Sequence, residues 1–172
     1  MLDTKLAEIE EAGELICQTL NSGHKVLICG NGGSAADAQH IAAELVGRYE
    51  QHRRAWPAIA LTTDTSALTA LSNDYGFEEV FARQVSALAN EDDLLIAIST
   101  SGRSQNVIRA VEAARAAHCK TIALTGADGG PLSALCDISL AVPSQRTSRV
   151  QEAHITIGHL WCEMVDAKGA KG

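Results

Sequence analysis

The chemistry this chain can offer starts with His40 and Glu44, four residues apart in the run VLICGNGGSAADAQHIAAELVGR, residues 26–48. On a helix that spacing sets an imidazole and a carboxylate on one face, a turn apart. Such a pair suits acid–base work or metal ligation, and equally a solvated surface pair. Just upstream, Gly30, Asn31, Gly32 and Gly33 form a turn in which the backbone can approach a ligand closely. Free N–H groups at a helix start there would favour an anion such as phosphate. The glycines match neither G-x-G-x-x-G nor the Walker pattern, so no nucleotide cofactor is expected. A second polar turn, Ser99-Thr100-Ser101-Gly102-Arg103-Ser104, gathers hydroxyls before another helical pattern. Near the C-terminus, Gln151, Glu152, His154 and His159 interrupt an apolar helical stripe. Gln151 and His159 share a broad face, about 80° apart.

The elements that must position these residues alternate. Leu2, Leu6, Ile9, Leu15, Ile16 and Leu20 predict a helix over about 2–21, ended by Gly23. Val26–Cys29 predicts a strand, and Ser34 the N-cap of the helix bearing His40, with Asp37 three residues on. Residues 49–56 read as an exposed connection. Ala58–Leu61 predicts a second strand, Thr62–Ser66 a cap for a helix through Leu71, and Asn73-Asp74-Tyr75-Gly76 a turn. A helix over about 78–89, a strand at Leu94–Ile98 and a helix from Ser104 to about His118 follow. Thr121–Leu124 and Ile138–Val142 predict strands separated by a loop at Ala127–Pro131, and one long helix spans about 146–166. Alternating strands and helices imply an α/β fold with a parallel sheet covered on both faces. Both polar turns then lie at strand carboxyl ends, where open sheets bind ligands.

Composition narrows the classes. At 172 residues a single domain is expected, with a sheet core over about 24–143, and 46% hydrophobic content fills its core. No apolar run approaches the ~18 residues of a membrane helix, and the acidic, amphipathic start is not a signal peptide. Five cysteines without C-x-x-C spacing predict reduced thiols in a cytoplasmic protein. A net charge of −7 with 3% aromatics argues against nucleic acid as a partner. An anionic substrate would need local binding devices against that field.

In chain order, CGNGGSAADAQH with Glu44, SNDYG, STSGRS, LTGADGG, and RVQEAH with His159 downstream resemble the motifs of bacterial phosphoheptose isomerases. The likeness covers about residues 24–166. It implies a three-layer α/β sandwich, the SIS domain, with a five-stranded parallel sheet between helices, and a homotetramer. It implies conversion of sedoheptulose 7-phosphate to D-glycero-D-manno-heptose 7-phosphate, for lipopolysaccharide-type or other heptose pathways. At matching positions, Ser99, Thr100, Ser101 and Ser104 would hold the phosphate. Asn31, Gly32, Gly33, Ser34, Asn73, Asp74 and Gln151 would line the sugar. Glu44, also against the sugar, and His159 would be the catalytic pair. Some members bind zinc through residues matching His40, Glu44, Gln151 and His159, which implies up to one zinc per site. Two features depart from the pattern. The chain is short at its N-terminal end, which bears on tetramer packing. Arg103 stands where Asn is common, adding a cation beside the phosphate or pointing one to solvent.

Aldose–ketose isomerisation needs a base for the C1/C2 proton and an acid for the oxygens, roles that suit Glu44 and His159. Desolvation would raise the Glu44 pKa while zinc would lower it, so the two demands compete. A regulator that associates with a replication initiator shares this domain without the catalytic Glu, and PAIALTTDTSALTALSND resembles it too. The presence of both Glu44 and His159 favours the enzyme. An isomerase of another sugar phosphate is the other alternative, because phosphate turns do not report sugar length. A sugar-sensing transcription factor is disfavoured, with no helix-turn-helix segment ahead of the domain.

Overall fold

A computed structural model describes residues 5–169. Five strands, β1 (Val26–Gly30), β2 (Ala58–Ala60), β3 (Leu94–Ser99), β4 (Lys120–Gly126) and β5 (Ile138–Val142), pair in parallel in the order β2-β1-β3-β4-β5. The α-helices are α1 (Leu6–Asn21), α2 (Gly33–Val46), α3 (Thr65–Tyr75), α4 (Val80–Leu88), α5 (Gln105–Ala116), α6 (Gly130–Leu135) and α7 (Thr147–Gly169). The chain steps outward from β1 to β2, crosses back to β3 and then runs the other way. The topological switch therefore falls between β1 and β3, whose ends are in register at Gly30 and Ile98.

Strand alternation divides the core. Val26, Ile28, Leu94, Ile96, Ile98, Ile122, Leu124 and Leu140 face a layer containing α1, α2 and α7. Leu27, Cys29, Leu95, Ala97 and Ala123 face the opposite layer of α4, α5 and α6. The central strands are buried on both faces, so they read as continuous apolar runs. The indole Trp161 Nε1 donates to the Ile9 carbonyl at 3.1 Å and fixes α7 on α1. All five cysteines are free and four are buried.

Several local expectations change. Gly32, at φ 56°, is the N-cap of α2; Ser34 lies inside the helix and makes no capping bond. The backbone turns more tightly than a Ser cap requires, and only Gly takes that φ without strain. Asp64 caps α3 by accepting from the Ala67 N–H at 2.9 Å. Asn73, Asp74 and Tyr75 form the last turn of α3, and only Gly76, at φ 92°, breaks it. Phe77–Glu79 is a 3₁₀ turn leading into α4. Within the expected loop at 127–131, Gly130-Pro131 opens α6, with Pro at the helix start where no N–H is needed. Ser104 is the N-cap of α5, but its hydroxyl bonds elsewhere. In the supposedly exposed connection, the Arg53 side chain and Trp56 are buried. Of the first predicted helix, Leu2 lies outside the described residues.

Candidate active site

The two polar turns meet at the switch point. Asn31, just after β1, and Asn106, in the first turn of α5, exchange side-chain amide bonds at 2.8 and 2.9 Å. A reciprocal amide pair uses one N–H and one oxygen lone pair of each side chain and fixes the distance between the turns. Asn106 is buried, yet its motif offered only a polar residue ahead of Val107 and Ile108. In the second turn, Ser99 Oγ lies 3.0 Å from Ser104 Oγ and 3.5 Å from Ser101 Oγ. The Arg103 N–H donates to Ser101 Oγ at 3.2 Å. Ser104 thus adds its hydroxyl to a cluster at the start of α5 rather than closing the helix. Hydroxyls at a helix N-terminus form an anion-binding device.

Gly102, at φ 63°, keeps this turn tight, for a Cβ there would collide with the Gly129 carbonyl. A cleft of about 640 Å³ opens beside it, lined among others by Thr100, Ser101, Arg103, Asp128 and Gln145. Arg103 and Asp128 pair across its mouth at 3.1 Å, both well exposed.

The second cluster joins α2 to α7. His40 Nε2 and His159 Nε2 stand 3.1 Å apart, although 119 positions separate them. His40 Nε2 is 3.4 Å from Glu44 Oε1. Gln151 packs against the opening of α2, where a Cβ on Gly33 would strike its amide. Gly158 gives the same closeness further along, since its Cβ would meet Ile41 at 2.8 Å. Small residues on both helices therefore let α7 lie close over α2. Asp37, one turn before His40, has a buried oxygen without a partner among the described residues; desolvation raises its pKa and the His40 charge opposes the rise. The Tyr49 ring sits 5.5 Å from His159, tilted by 30°. Partial desolvation pushes the Tyr49 phenol up, and the charges of Glu163 and Glu50 add to it.

Other candidates lie apart from this convergence. His154 is buried and its Nε2 bonds the Thr125 carbonyl at 2.9 Å, so it ties α7 to β4. Burial lowers its pKa, opposed by that carbonyl. Ser34 is buried beside Gly30. Asn73 and Asp74 bond each other at 2.8 Å on the exposed end of α3. The large cleft is lined by the hydroxyl turn and not by His40, Glu44 or His159. Within one chain, the anion device and the imidazole–carboxylate cluster are neighbouring surfaces rather than one closed cavity.

Residues 1–126 match the model of the SIS domain. A phosphoheptose isomerase of Aliarcobacter butzleri is 58% identical over 166 residues, 96% of this chain and 88% of that protein. One from Nitratiruptor is 61% identical over 153 residues, 88% and 82% of the two chains. The solved phosphoheptose isomerase of Neisseria gonorrhoeae superposes with a TM-score of 0.90 at 51% identity, covering 95% of this chain and 87% of that one.

Proposed function

This chain belongs to the SIS domain family, and from its likeness to the phosphoheptose isomerases within it we propose that it is one of them. It interconverts sedoheptulose 7-phosphate and D-glycero-D-manno-heptose 7-phosphate. The observation that carries this is the convergence of His40, Glu44 and His159 from two helices far apart in sequence, beside a hydroxyl-lined turn.

The chemistry follows from the side chains. The Ser99, Ser101 and Ser104 hydroxyls, with the first N–H groups of α5, grip the phosphate at one end of the sugar. C1 and C2 are then free to reach α2. Glu44 takes the proton from C1 of the ketose, leaving an enediol, and returns it to C2. The His159 imidazole carries the matching proton from O1 to O2, so no proton or electron is gained overall. Gln151 offers an amide that donates and accepts, suited to a sugar hydroxyl.

Zinc is part of the same proposal. Two imidazole nitrogens 3.1 Å apart have about the separation of two nitrogens on one ion with Zn–N near 2.0–2.1 Å. Among the described residues no group of three or more His, Cys, Asp or Glu is arranged as a metal cage. The imidazoles and the carboxylate are donor types that fit zinc, and His40, His159 and Glu44 would hold it, with Gln151 as a fourth ligand. Bound there, zinc would polarise the sugar oxygens.

The assembly we propose is a homotetramer. None of the eleven residues of α3 is buried. Tyr75 and Phe77 are exposed at 52% and 56%. The His40 and Glu44 side chains are themselves open at 46% and 26%, so a water-poor site needs a cover that a second copy would supply. Free cysteines support a cytoplasmic setting, and the product suits heptose pathways of the lipopolysaccharide type. No helix among the described residues is long and apolar enough to cross a membrane.

The test is a coupled assay on sedoheptulose 7-phosphate with Glu44→Gln and with chelated and zinc-reloaded protein. Glu44→Gln is expected to fold normally and lose about 10²–10⁴-fold in rate. A rate within a few-fold of the parent would remove Glu44 as the base. Full activity after chelation, unchanged by added zinc, would remove the metal from the reaction.

A further inference from the structure

We propose that Arg53, held by Asp166, is a positioning residue that sets the spacing of Glu44 against His159; this rests on the isomerase reading above. The Arg53 side chain is 1% exposed and the Asp166 side chain 3%. Arg53 Nε donates to Asp166 Oδ1 at 2.7 Å. Its Nη2 donates to the carbonyl of Glu44 at 2.7 Å, and its Nη1 to the carbonyl of Leu45 at 2.9 Å. The guanidinium thus grips the backbone of the catalytic residue itself. Those carbonyls lie in the last turn of α2, where orphan acceptors and the negative dipole end suit a cation.

Asp166 lies seven residues after His159 on α7, two turns on and on nearly the same face. Its Oδ2 accepts the N–H groups of Glu50 and Gln51, each at 2.9 Å. This pins the segment that carries Tyr49, whose ring packs on His159. One buried pair therefore reaches both helices of the site and the ring beside the imidazole. Burying two charges is costly unless further hydrogen bonds compensate, and here Asp166 accepts three and Arg53 donates four. Arginine is required because four acceptors in different directions, the Arg54 carbonyl at 3.0 Å among them, need its rigid fork, which an ammonium does not reproduce.

The variants that test this are Arg53→Lys and Asp166→Asn, measured against the parent. Steady-state kinetics on sedoheptulose 7-phosphate are read beside melting curves and the NMR ring-proton shifts of His40 and His159, taken on chelated protein at one fixed pH. The expected result is folded protein with kcat down about 10–100-fold, KM changed less than about 3-fold, and displaced His40 and His159 ring signals. Arg53→Lys should recover more of kcat than Arg53→Ala. Folded variants with kcat within 2-fold of the parent and unmoved imidazole signals would overturn the proposal. Loss of folding in both would overturn it too, since the pair would then hold the fold rather than the site. The imidazole ring signals read the spacing without turnover. A parent inactive on this sugar would thus count against the substrate reading alone.

Discussion

At the scale of single residues, the turn proposed to hold phosphate depends on which hydroxyl does what. Ser104 does not cap its helix; its hydroxyl points into the cluster with Ser99. Ser104→Ala should leave α5 in place and weaken phosphorylated sugars by about 1.5–3 kcal/mol, the value of a hydrogen bond to a charged group. Comparing KM for phosphorylated and unphosphorylated sedoheptulose checks this, and an equal loss for both would contradict it. Arg103 is held by Asp128 at an exposed ion pair, so its charge is already partly answered before any anion arrives.

At the scale of elements, the site depends on how closely α7 lies over α2. Gly33 makes room for Gln151, and Gly158 for Ile41. The atom that a Cβ on Gly33 would meet is the far end of a flexible side chain, which can swing aside. Gly33→Ala is therefore expected to melt within a few degrees of the parent while kcat/KM falls about tenfold or more, because Gln151 is displaced from the opening of α2. A thermal melt beside steady-state kinetics separates the two effects. Gly102 is different in kind, because its space is closed by backbone and its φ is 63°. The elements also explain why the connection at residues 49–56 matters. It has no helical or strand period, yet Arg53 and Trp56 are among its most buried side chains.

At the scale of the whole molecule, two predictions follow from charge and from surface. Asp93 lies at the amino-terminal edge of the sheet, just before β3, where its carboxylate accepts from the N–H groups of Lys25 and Asn90 and pairs with the Lys25 ammonium. Burial alone would raise its pKa, but the hydrogen bonds and charge of Lys25 and the Asn90 N–H pull it below the usual range. A depressed carboxylate stabilises the fold above its unfolded value of about 3.9, and that contribution is lost as pH falls through the folded value. Urea midpoints of parent and Asp93→Asn should therefore differ near pH 7 and converge as the pH falls below about 4. A gap that stays constant down to pH 2 would exclude the linkage. For the surface, Phe77→Glu should shift the mass seen by light scattering towards smaller species and lower kcat, if the exposed rim of α3 is covered by a second copy. An unchanged mass would remove Phe77 from any interface.

What the sequence determined by itself was the order of elements and the chemistry each could carry. Apolar runs at Val26–Cys29 and Leu94–Ile98 read as strands because strands buried on both faces tolerate nothing else. The helical spacing of His40 and Glu44 placed them on one face before any packing was known. Family motifs assigned roles to these positions. Tertiary structure alone decided what depends on closing distances through space. It brought His159 to His40 and paired Asn31 with Asn106. It buried Arg53 under the end of α2, and it turned His154 away from the site towards Thr125. None of these leaves a period in the sequence. Each is set by the approach of two elements, and that approach depends on side-chain volume at positions such as Gly33 and Gly158 rather than on local propensity.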